Sequence, residues 1–105
     1  MLRIQSVCYE MVREVAGYVE RIAEVDRDHA RQLRRSALSV PLNVAEGSGS
    51  RGGTRRARYL TALGSAEETR ANLEAAAAIG YVDAVDEGLR GRLGHIIGVL
   101  VKLTR

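Results

Sequence analysis

The chain has 105 residues, of which 46% are hydrophobic, which is enough for one packed core and argues against disorder. Aromatic residues make up only 4%, with four Tyr, no Phe and no Trp, and there is one Pro, a composition that favours helices over a β-sandwich. The 16 Lys and Arg against 13 Asp and Glu give a net charge of +3, and the single cysteine excludes an intramolecular disulfide and a cysteine-based zinc site. We therefore predict one all-α domain over residues 1–105.

The sequence gives no sign of a membrane or of export. No apolar run approaches the roughly 18–20 residues that a membrane-spanning helix needs. The first ten residues, MLRIQSVCYE, lack the basic-then-apolar layout of a signal peptide. We therefore expect a cytoplasmic protein with no membrane partner. Because only two histidines are present, His29 and His95, we predict no metal site, and nothing indicates a cofactor.

The first predicted helix covers residues 4–25. Its apolar residues follow alternating steps of four and three, which is a heptad seam. The members of the seam are Ile4, Cys8, Met11, Val15, Tyr18, Ile22 and Val25. A second apolar row consists of Val12, Ala16, Val19 and Ala23. Because this face is wider than a two-helix contact needs, we expect a subunit contact in addition to the bundle core.

The second predicted helix covers residues 29–46, with Asp28 as its N-cap. Its core stripe consists of Ala30, Leu33, Ala37, Val40 and Val44. Another face carries Arg27, Arg31, Arg34 and Arg35 and then Leu38 and Leu42. A face that begins basic and ends apolar is unusual for the solvated surface of a monomer.

Pro41 and a glycine-rich run interrupt the pattern that follows. Pro41 has no N–H for the carbonyl of Ala37, so we expect a kink there. The run GSGSRGG at residues 47–53 then ends the helix. The run contains a G-x-G-x-x-G spacing, but no strand precedes it. We therefore interpret it as a flexible turn between helices rather than as a dinucleotide site.

Two more helices complete the predicted bundle. The third covers residues 55–79, between Thr54 as N-cap and Gly80 as C-terminal stop, and the fourth runs from an Asp83 N-cap to the end of the sequence. The apolar side of the third helix consists of Tyr59, Leu63, Ala66, Leu73 and Ala77. The heptad seam of the fourth consists of Val82, Val85, Leu89, Leu93, Ile96, Leu100 and Leu103. Short connections between four helices predict an antiparallel up-down-up-down four-helix bundle.

A row of small residues lies beside the seam of the fourth helix. Its members are Ala84, Gly88, Gly91, His95 and Gly98. Glycine inside a helix costs about 0.5–1 kcal/mol relative to alanine. The row therefore predicts a close backbone crossing, either within the bundle or between subunits.

Positive charge is concentrated in the middle of the sequence. The segment from Arg27 to Arg58 has eight arginines and two acids, whereas the rest has eight basic residues and eleven acids. Arginine at this density suits phosphate contacts. The predicted nucleic-acid-binding residues are Arg31, Arg34, Arg35, Arg51, Arg55, Arg56 and Arg58. In an antiparallel bundle they form two patches on one subunit. The alternative is a solvated face in a chain that uses arginine throughout.

The sequence contains no catalytic constellation. Cys8 lies on the core seam, where a buried small hydrophobic residue is the simpler interpretation than a nucleophile. Glu67, Glu68 and Glu74 are interpreted as a solvated face rather than as an acid/base pair. We therefore predict no catalytic residue and a protein that is not an enzyme.

Two stretches resemble a known family. The segment LRRSALSVPLNVAEG at 33–47 and the helix RYLTALGSAEET at 58–69 are similar to the small four-helix bundle proteins encoded in 23S ribosomal RNA intervening sequences. The resemblance implies a four-helix bundle assembled as a homopentamer, and it leaves the function open. A distantly similar bundle, the accessory variability determinant of diversity-generating retroelements, partners a reverse transcriptase and binds nucleic acid. The motif residues that carry over are Pro41, Asn43, Glu46 and Gly47.

Asn43 and Glu46 have two interpretations. They can be a pair that reads a ligand or RNA, or Asn43 can repair the turn loosened by Pro41 while Glu46 pairs with an arginine across an interface. We favour the structural interpretation. The function predicted from the sequence is that of a non-enzymatic, oligomeric bundle that contacts RNA or DNA through arginine-rich surfaces. The alternative is a protein-interaction scaffold, for example a reverse-transcriptase accessory subunit, without a direct nucleic-acid role.

Overall fold

A computed structural model describes residues 2–105 and contains four helices in that part of the chain. Helix α1 covers Arg3–Ala23, α2 covers Arg27–Ser48, α3 covers Gly52–Ile79 and α4 covers Glu87–Leu103. The all-α four-helix prediction is confirmed. None of these helices is both long and apolar enough to cross a membrane.

Each helix packs against its neighbours in the sequence, and α4 closes the bundle against α1. The contact between α2 and α3 is the most extensive, and the contact between α1 and α4 is the least extensive of these. Gln5, at the start of α1, donates to the carbonyl of Pro41 near the end of α2 at 2.9 Å. Arg56, at the start of α3, donates to the carbonyl of Thr104 at the end of α4 at 2.9 Å. These pairings are consistent with the predicted up-down-up-down course.

The predicted heptad seams form the core. On α1 every seam residue from Ile4 to Ile22 is buried, and on α2 the whole predicted stripe is buried. In the fourth predicted seam all members from Val82 to Leu100 are buried. Val25, in the turn after α1, and Leu103, the last residue of α4, are exposed. On α3 Tyr59, Ala66 and Leu73 are buried, whereas Leu63 and Ala77 lie at the edge of the core.

The predicted N-caps of α2 and α4 are wrong by two and three residues. Asp26, not Asp28, caps α2, and its carboxylate accepts from the backbone N–H of His29 at 2.9 Å. The Asp28 side chain lies inside the first turn. At the start of α4, Asp86 rather than Asp83 accepts from the N–H of Leu89 at 3.1 Å. In both cases the cap is the aspartate three residues before the donating N–H, the spacing that N-capping requires.

The turn between α2 and α3 is shorter than predicted. Helix α2 continues through Pro41 and includes Gly47 and Ser48, and α3 begins at Gly52 with Arg51 at the N-cap position instead of Thr54. The connection is therefore three residues, 49–51, and not a seven-residue flexible loop. Gly52 has a φ of 54°, a left-handed conformation that glycine adopts without strain.

The glycine row of α4 makes no close crossing within this chain. Gly88, Gly91, His95 and Gly98 are all exposed. A Cβ placed on Gly91 or Gly98 would have nothing within 4 Å, and one on Gly88 would meet only the Asp86 side chain. The prediction of a crossing inside the bundle is wrong, because the buried face of α4 is the neighbouring leucine seam. The crossing between subunits stays a prediction.

Candidate nucleic-acid interface

The two ends of the bundle carry opposite charge. Each end is counted as seven residues of every helix terminus that lies there, together with the turns and terminal residues beside them. The basic end is then residues 2–9, 42–58 and 97–105, and the acidic end is residues 17–33 and 73–93. The basic end has seven basic side chains and one acid, Glu46, a net of +6. The basic residues of this end are Arg3, Arg51, Arg55, Arg56, Arg58, Lys102 and Arg105. The opposite, acidic end has five basic side chains and eight acids, a net of −3.

Two helix termini join the α2–α3 turn to build the basic end. The bond from Arg56 to the Thr104 carbonyl brings the end of α4, with Lys102 and Arg105, to the start of α3. Leu2 lines a small pocket together with Arg55, which places the start of α1 and Arg3 beside the same turn. Arg3, Lys102 and Arg105 were missed by the sequence reasoning. The predicted alternation of helix direction was the signal that could have found them, since it places these termini at one end.

Three arginines of the basic end are held through their Nε atoms. Arg55 Nε donates to the carbonyls of Gly47 at 3.2 Å and Ser50 at 2.8 Å. Arg56 Nε donates to Thr104, and Arg58 Nε lies 3.1 Å from a carboxylate oxygen of Glu46. Within residues 2–105, the terminal Nη groups of Arg55, Arg56 and Arg58 make no hydrogen bond or ion pair. These donors are available to an external acceptor.

Three of the five arginines counted at the acidic end are paired with carboxylates. Arg90 binds both carboxylate oxygens of Glu74, at 2.7 and 2.8 Å, and also binds Glu87 at 2.7 Å. The hydrogen bond from Arg90 lowers the pKa of Glu74 below its ordinary value. Arg31 binds Asp28 at 2.6 Å. The positive charge of these paired arginines is therefore offset locally.

The predicted arginines of α2 stand apart from those of the turn. Arg34 lines an apolar groove against α1, and Arg35 lines a polar groove of ≈ 340 Å³ against α3. Twenty helical or turn positions separate Arg31 from Arg51. At a rise of 1.5 Å per residue, this corresponds to about 25–30 Å. The structure thus brings Arg51, Arg55, Arg56 and Arg58 together and leaves Arg31, Arg34 and Arg35 elsewhere.

The motif residues of α2 make contacts within α2 and with α3. The side-chain amide of Asn43 donates to the Ser39 carbonyl at 2.9 Å and to its hydroxyl at 3.0 Å, so it is bonded to the backbone beside Pro41 as expected. Glu46 pairs with Arg58 of the same chain, whereas the sequence interpretation placed its partner across an interface. Gly47 is buried against the ring of Tyr59. The structural interpretation therefore holds for Asn43, whereas the partner that it gave Glu46 across an interface is replaced by Arg58 of the same chain.

A line of hydroxyl groups joins α2 to α3. Ser39 and Ser65 are 2.7 Å apart through their Oγ atoms, and Thr69 donates to Ser36 at 3.0 Å. Ser36 and Thr69 are buried. The sequence analysis missed these hydroxyl partners. Their spacing of four residues, from 65 to 69, was the available signal.

An apolar groove of ≈ 300 Å³ runs between α1 and α2. The second apolar row of α1 lines it through Val12, Ala16 and Val19, and Leu38 of α2 lines the other side. Leu38 is 42% exposed, and the neighbouring Leu42 is 62% exposed. Apolar side chains that remain open to solvent on two adjacent helices form a candidate interaction face.

The cysteine does not contribute a reactive group. Cys8 is fully buried on the α1 seam, and burial raises the pKa of its thiol to about 11. A thiol in this state is a poor nucleophile at neutral pH.

Within the part of the chain that the structure describes, no three His, Cys, Asp or Glu side chains are grouped as they would be around a metal ion.

The comparison with known proteins agrees with this architecture. The chain matches the family described as 23S rRNA-intervening sequence protein over residues 2–101. The crystal structure of a protein of unknown function from the S23 ribosomal protein family of Bacteroides thetaiotaomicron is similar to it, with a TM-score of 0.85 and 17% sequence identity. The alignment covers 97% of this chain and 98% of that one. No curated protein matches the chain.

The fold is that of an all-α four-helix bundle protein. The chain belongs to the 23S rRNA-intervening sequence protein family. At 17% identity the solved structure supports the fold, and the family description assigns no reaction or ligand.

Proposed function

We propose that this protein is a non-enzymatic, self-assembling bundle that contacts RNA or DNA through arginine side chains. The observation that carries the proposal is the segregation of charge, with seven basic side chains and one acid at one end of the bundle. Phosphate contacts by Lys and Arg supply most of the affinity of sequence-independent nucleic-acid binding. An end that has few carboxylates and carries available guanidinium donors fits that role.

Self-assembly is the second part of the proposal. The groove between α1 and α2 leaves apolar side chains open in the single chain, and Leu42 lies beside it. A second copy covering this face would remove these apolar side chains from water. The assembly that we propose is a homopentamer.

We place the protein in the cytoplasm, since its one cysteine is a free thiol and a reducing compartment keeps it so.

The same groove favours one alternative function. If a different protein covers the face, the chain is an interaction scaffold, and a reverse transcriptase is the partner class that the sequence resemblance offers. In that case the charge of the basic end has no role in binding nucleic acid. A purified protein that stays monomeric and binds no nucleic acid, yet forms a complex with a reverse transcriptase, would favour this alternative.

The test is direct binding to RNA and DNA at several salt concentrations. Fluorescence anisotropy with labelled oligonucleotides at about 50 and about 200 mM salt measures both the affinity and its salt dependence. We expect a slope of log K against log salt of about −0.7 per phosphate contact for single strands and about −0.9 for duplexes. Absence of binding to any RNA or DNA at the lower salt would contradict the proposal.

A further inference from the structure

We propose that the basic end binds the phosphate backbone of double-helical nucleic acid in preference to single strands, with Arg55, Arg56 and Arg58 as preset contacts and with Arg3, Arg51, Lys102 and Arg105 around them. This inference rests on the proposed nucleic-acid function and names the form of ligand and the surface that binds it. Arg3, Lys102 and Arg105 are new members of the surface. Arg31, Arg34 and Arg35 are not part of it.

The anchoring of the three arginines is the first argument. Each guanidinium is held through Nε, by a carbonyl oxygen for Arg55 and Arg56 and by Glu46 for Arg58. Anchoring restricts side chains that would otherwise lose freedom on binding, so the contact with phosphate costs less entropy. The two Nη groups present the forked donor pair that matches phosphate oxygens. These three groups lie within four residues of α3.

The placement of the tyrosines is the second argument. Single strands are bound by stacking successive bases on exposed aromatic rings. Tyr18 and Tyr81 lie at the acidic end, where Tyr18 bonds to the N–H of Asp86 and Tyr81 to the side chain of Asp26. Tyr59, at the basic end, is only 4% exposed. Tyr9, at the edge of the basic end, is 44% exposed, but a single exposed ring does not form a stacking platform for successive bases.

Charge density is the third argument. The molecule measures 42 × 24 × 20 Å, so the end of the bundle is a compact surface about 24 Å across. A duplex carries one phosphate charge per about 1.7 Å of axis, against about 3.4 Å for one strand. Over 24 Å of axis this corresponds to about 14 charges for a duplex and about 7 for one strand. The basic end therefore faces a higher density of negative charge on a double helix.

The experiment compares four labelled ligands with the full chain: single strands of about 20 nucleotides in RNA and in DNA, and the two matching duplexes. Anisotropy at about 50 mM salt should show both duplexes bound about tenfold or more tightly than the single strands, with a salt slope near −0.9 per contact. Binding of single strands as tightly as duplexes would overturn this inference and leave the proposed function standing. Absence of binding to all four would overturn both.

Two charge-matched variants locate the surface. Arg51→Gln with Lys102→Gln and Arg105→Gln removes three charges from the basic end, and the structure shows no side-chain hydrogen bond of these residues within 2–105. The control, Arg13→Gln with Arg27→Gln and Arg70→Gln, removes three charges elsewhere, so both variants have the same net charge.

The two variants should differ in duplex affinity. The basic-end variant should bind duplexes about tenfold or more weakly, and its salt slope should flatten by as much as about 2.7. The control should keep a slope near that of the unmodified protein. An equal loss of duplex affinity in both variants would show that the basic end is not the binding surface. Arg105→Gln alone, at an exposed position after α4, is measured as well, so that a folding defect of the triple variant leaves the test intact.

Discussion

Gly47 and Tyr59 are in van der Waals contact across the α2–α3 turn, with no room for a side chain between them. A Cβ on Gly47 would lie 2.6 Å from Cδ1 of the Tyr59 ring, closer than real Cβ atoms approach a neighbour. Tyr59 in turn lies near Ser48, with 3.5 Å between the two hydroxyl oxygens. The pair joins the two stretches by which the sequence resembles its family. The turn that carries the basic end is built on this contact.

Replacing Gly47 with alanine should destabilise the bundle. Because the methyl group would overlap a buried ring, Gly47→Ala should cost about 1–3 kcal/mol of unfolding free energy, the usual cost of overpacking a core. For a chain of this size, Tm should fall by about 4–8 °C per kcal/mol. Thermal unfolding at a fixed protein concentration measures the effect.

The matched control is an exposed glycine inside α3. A Cβ on Gly64 would have nothing within 4 Å, so Gly64→Ala should leave stability unchanged or raise it by as much as about 1 kcal/mol. Adding Tyr59→Leu to Gly47→Ala should cost less than the two single changes together, because the clash is relieved. Equal stability of Gly47→Ala and the unmodified protein would show that the contact is looser than described.

The buried thiol should be unreactive until the protein unfolds. Burial both shields Cys8 and raises its pKa to about 11, so little thiolate forms at pH 8. A thiol reagent should label the native protein slowly at about pH 8. It should label one thiol per chain rapidly in denaturant, since the sequence has a single cysteine. Rapid labelling under native conditions would contradict the placement of Cys8 in the core.

Acid should weaken the α2 N-cap through Asp26. The N–H of His29 and the hydroxyl of Tyr81 both donate to the Asp26 carboxylate, and they lower its pKa below the ordinary 3.8. The ionised form therefore stabilises the folded state above pH 3.8, and this contribution is lost as the pH falls from 3.8 through the lower folded pKa. Asp26→Asn keeps a capping oxygen but does not titrate.

The comparison of Tm against pH isolates this group. Below pH 3.8 the unmodified protein should lose stability more steeply than Asp26→Asn, while other carboxylates contribute equally to both curves. Parallel curves over the acid range would show that the cap carboxylate does not contribute in this way.

The apolar groove should control assembly. Light scattering of the unmodified protein should give several times the mass of one chain, and Leu38→Glu should reduce the mass toward that of a single chain while the helical signal persists. The physical reason is that the assembly would have to take a carboxylate out of water, and this desolvation cost exceeds the attraction that Arg34 in the same groove can supply. Ile79→Glu is the control, since Ile79 is exposed at the end of α3, away from the groove. An unmodified protein that is strictly monomeric would exclude self-assembly.

Periodicity made most of the fold predictable. The α1 and α4 seams depend on spacing alone, and the residues from Ile4 to Ile22 and from Val82 to Leu100 are buried as that spacing requires. Helix ends were harder, because Asp26 and Asp28 are both good capping residues in sequence. The choice between them depends on the Tyr81 hydroxyl, which reaches Asp26 from a distant part of the chain.

The candidate site was only partly predictable for a similar reason. Arginine density located Arg55, Arg56 and Arg58, but their Nε bonds to Gly47, Ser50, Thr104 and Glu46 depend on tertiary structure. The glycine-rich run was interpreted as flexible because glycine disfavours helix in isolation. Packing against Tyr59 instead keeps Gly47 inside α2.

The most direct test of the basic end as a nucleic-acid surface is an NMR titration of isotope-labelled protein with a short RNA or DNA. The Nε–Hε signals of Arg55, Arg56 and Arg58 report on the anchored guanidinium groups themselves. We predict salt-sensitive shifts of these signals and of backbone amides in 49–58 and 101–105, while amides in 20–31 and 83–90, at the acidic end, keep their positions. Shifts confined to the acidic end or to the α1–α2 groove, or no shifts at low salt, would contradict the account.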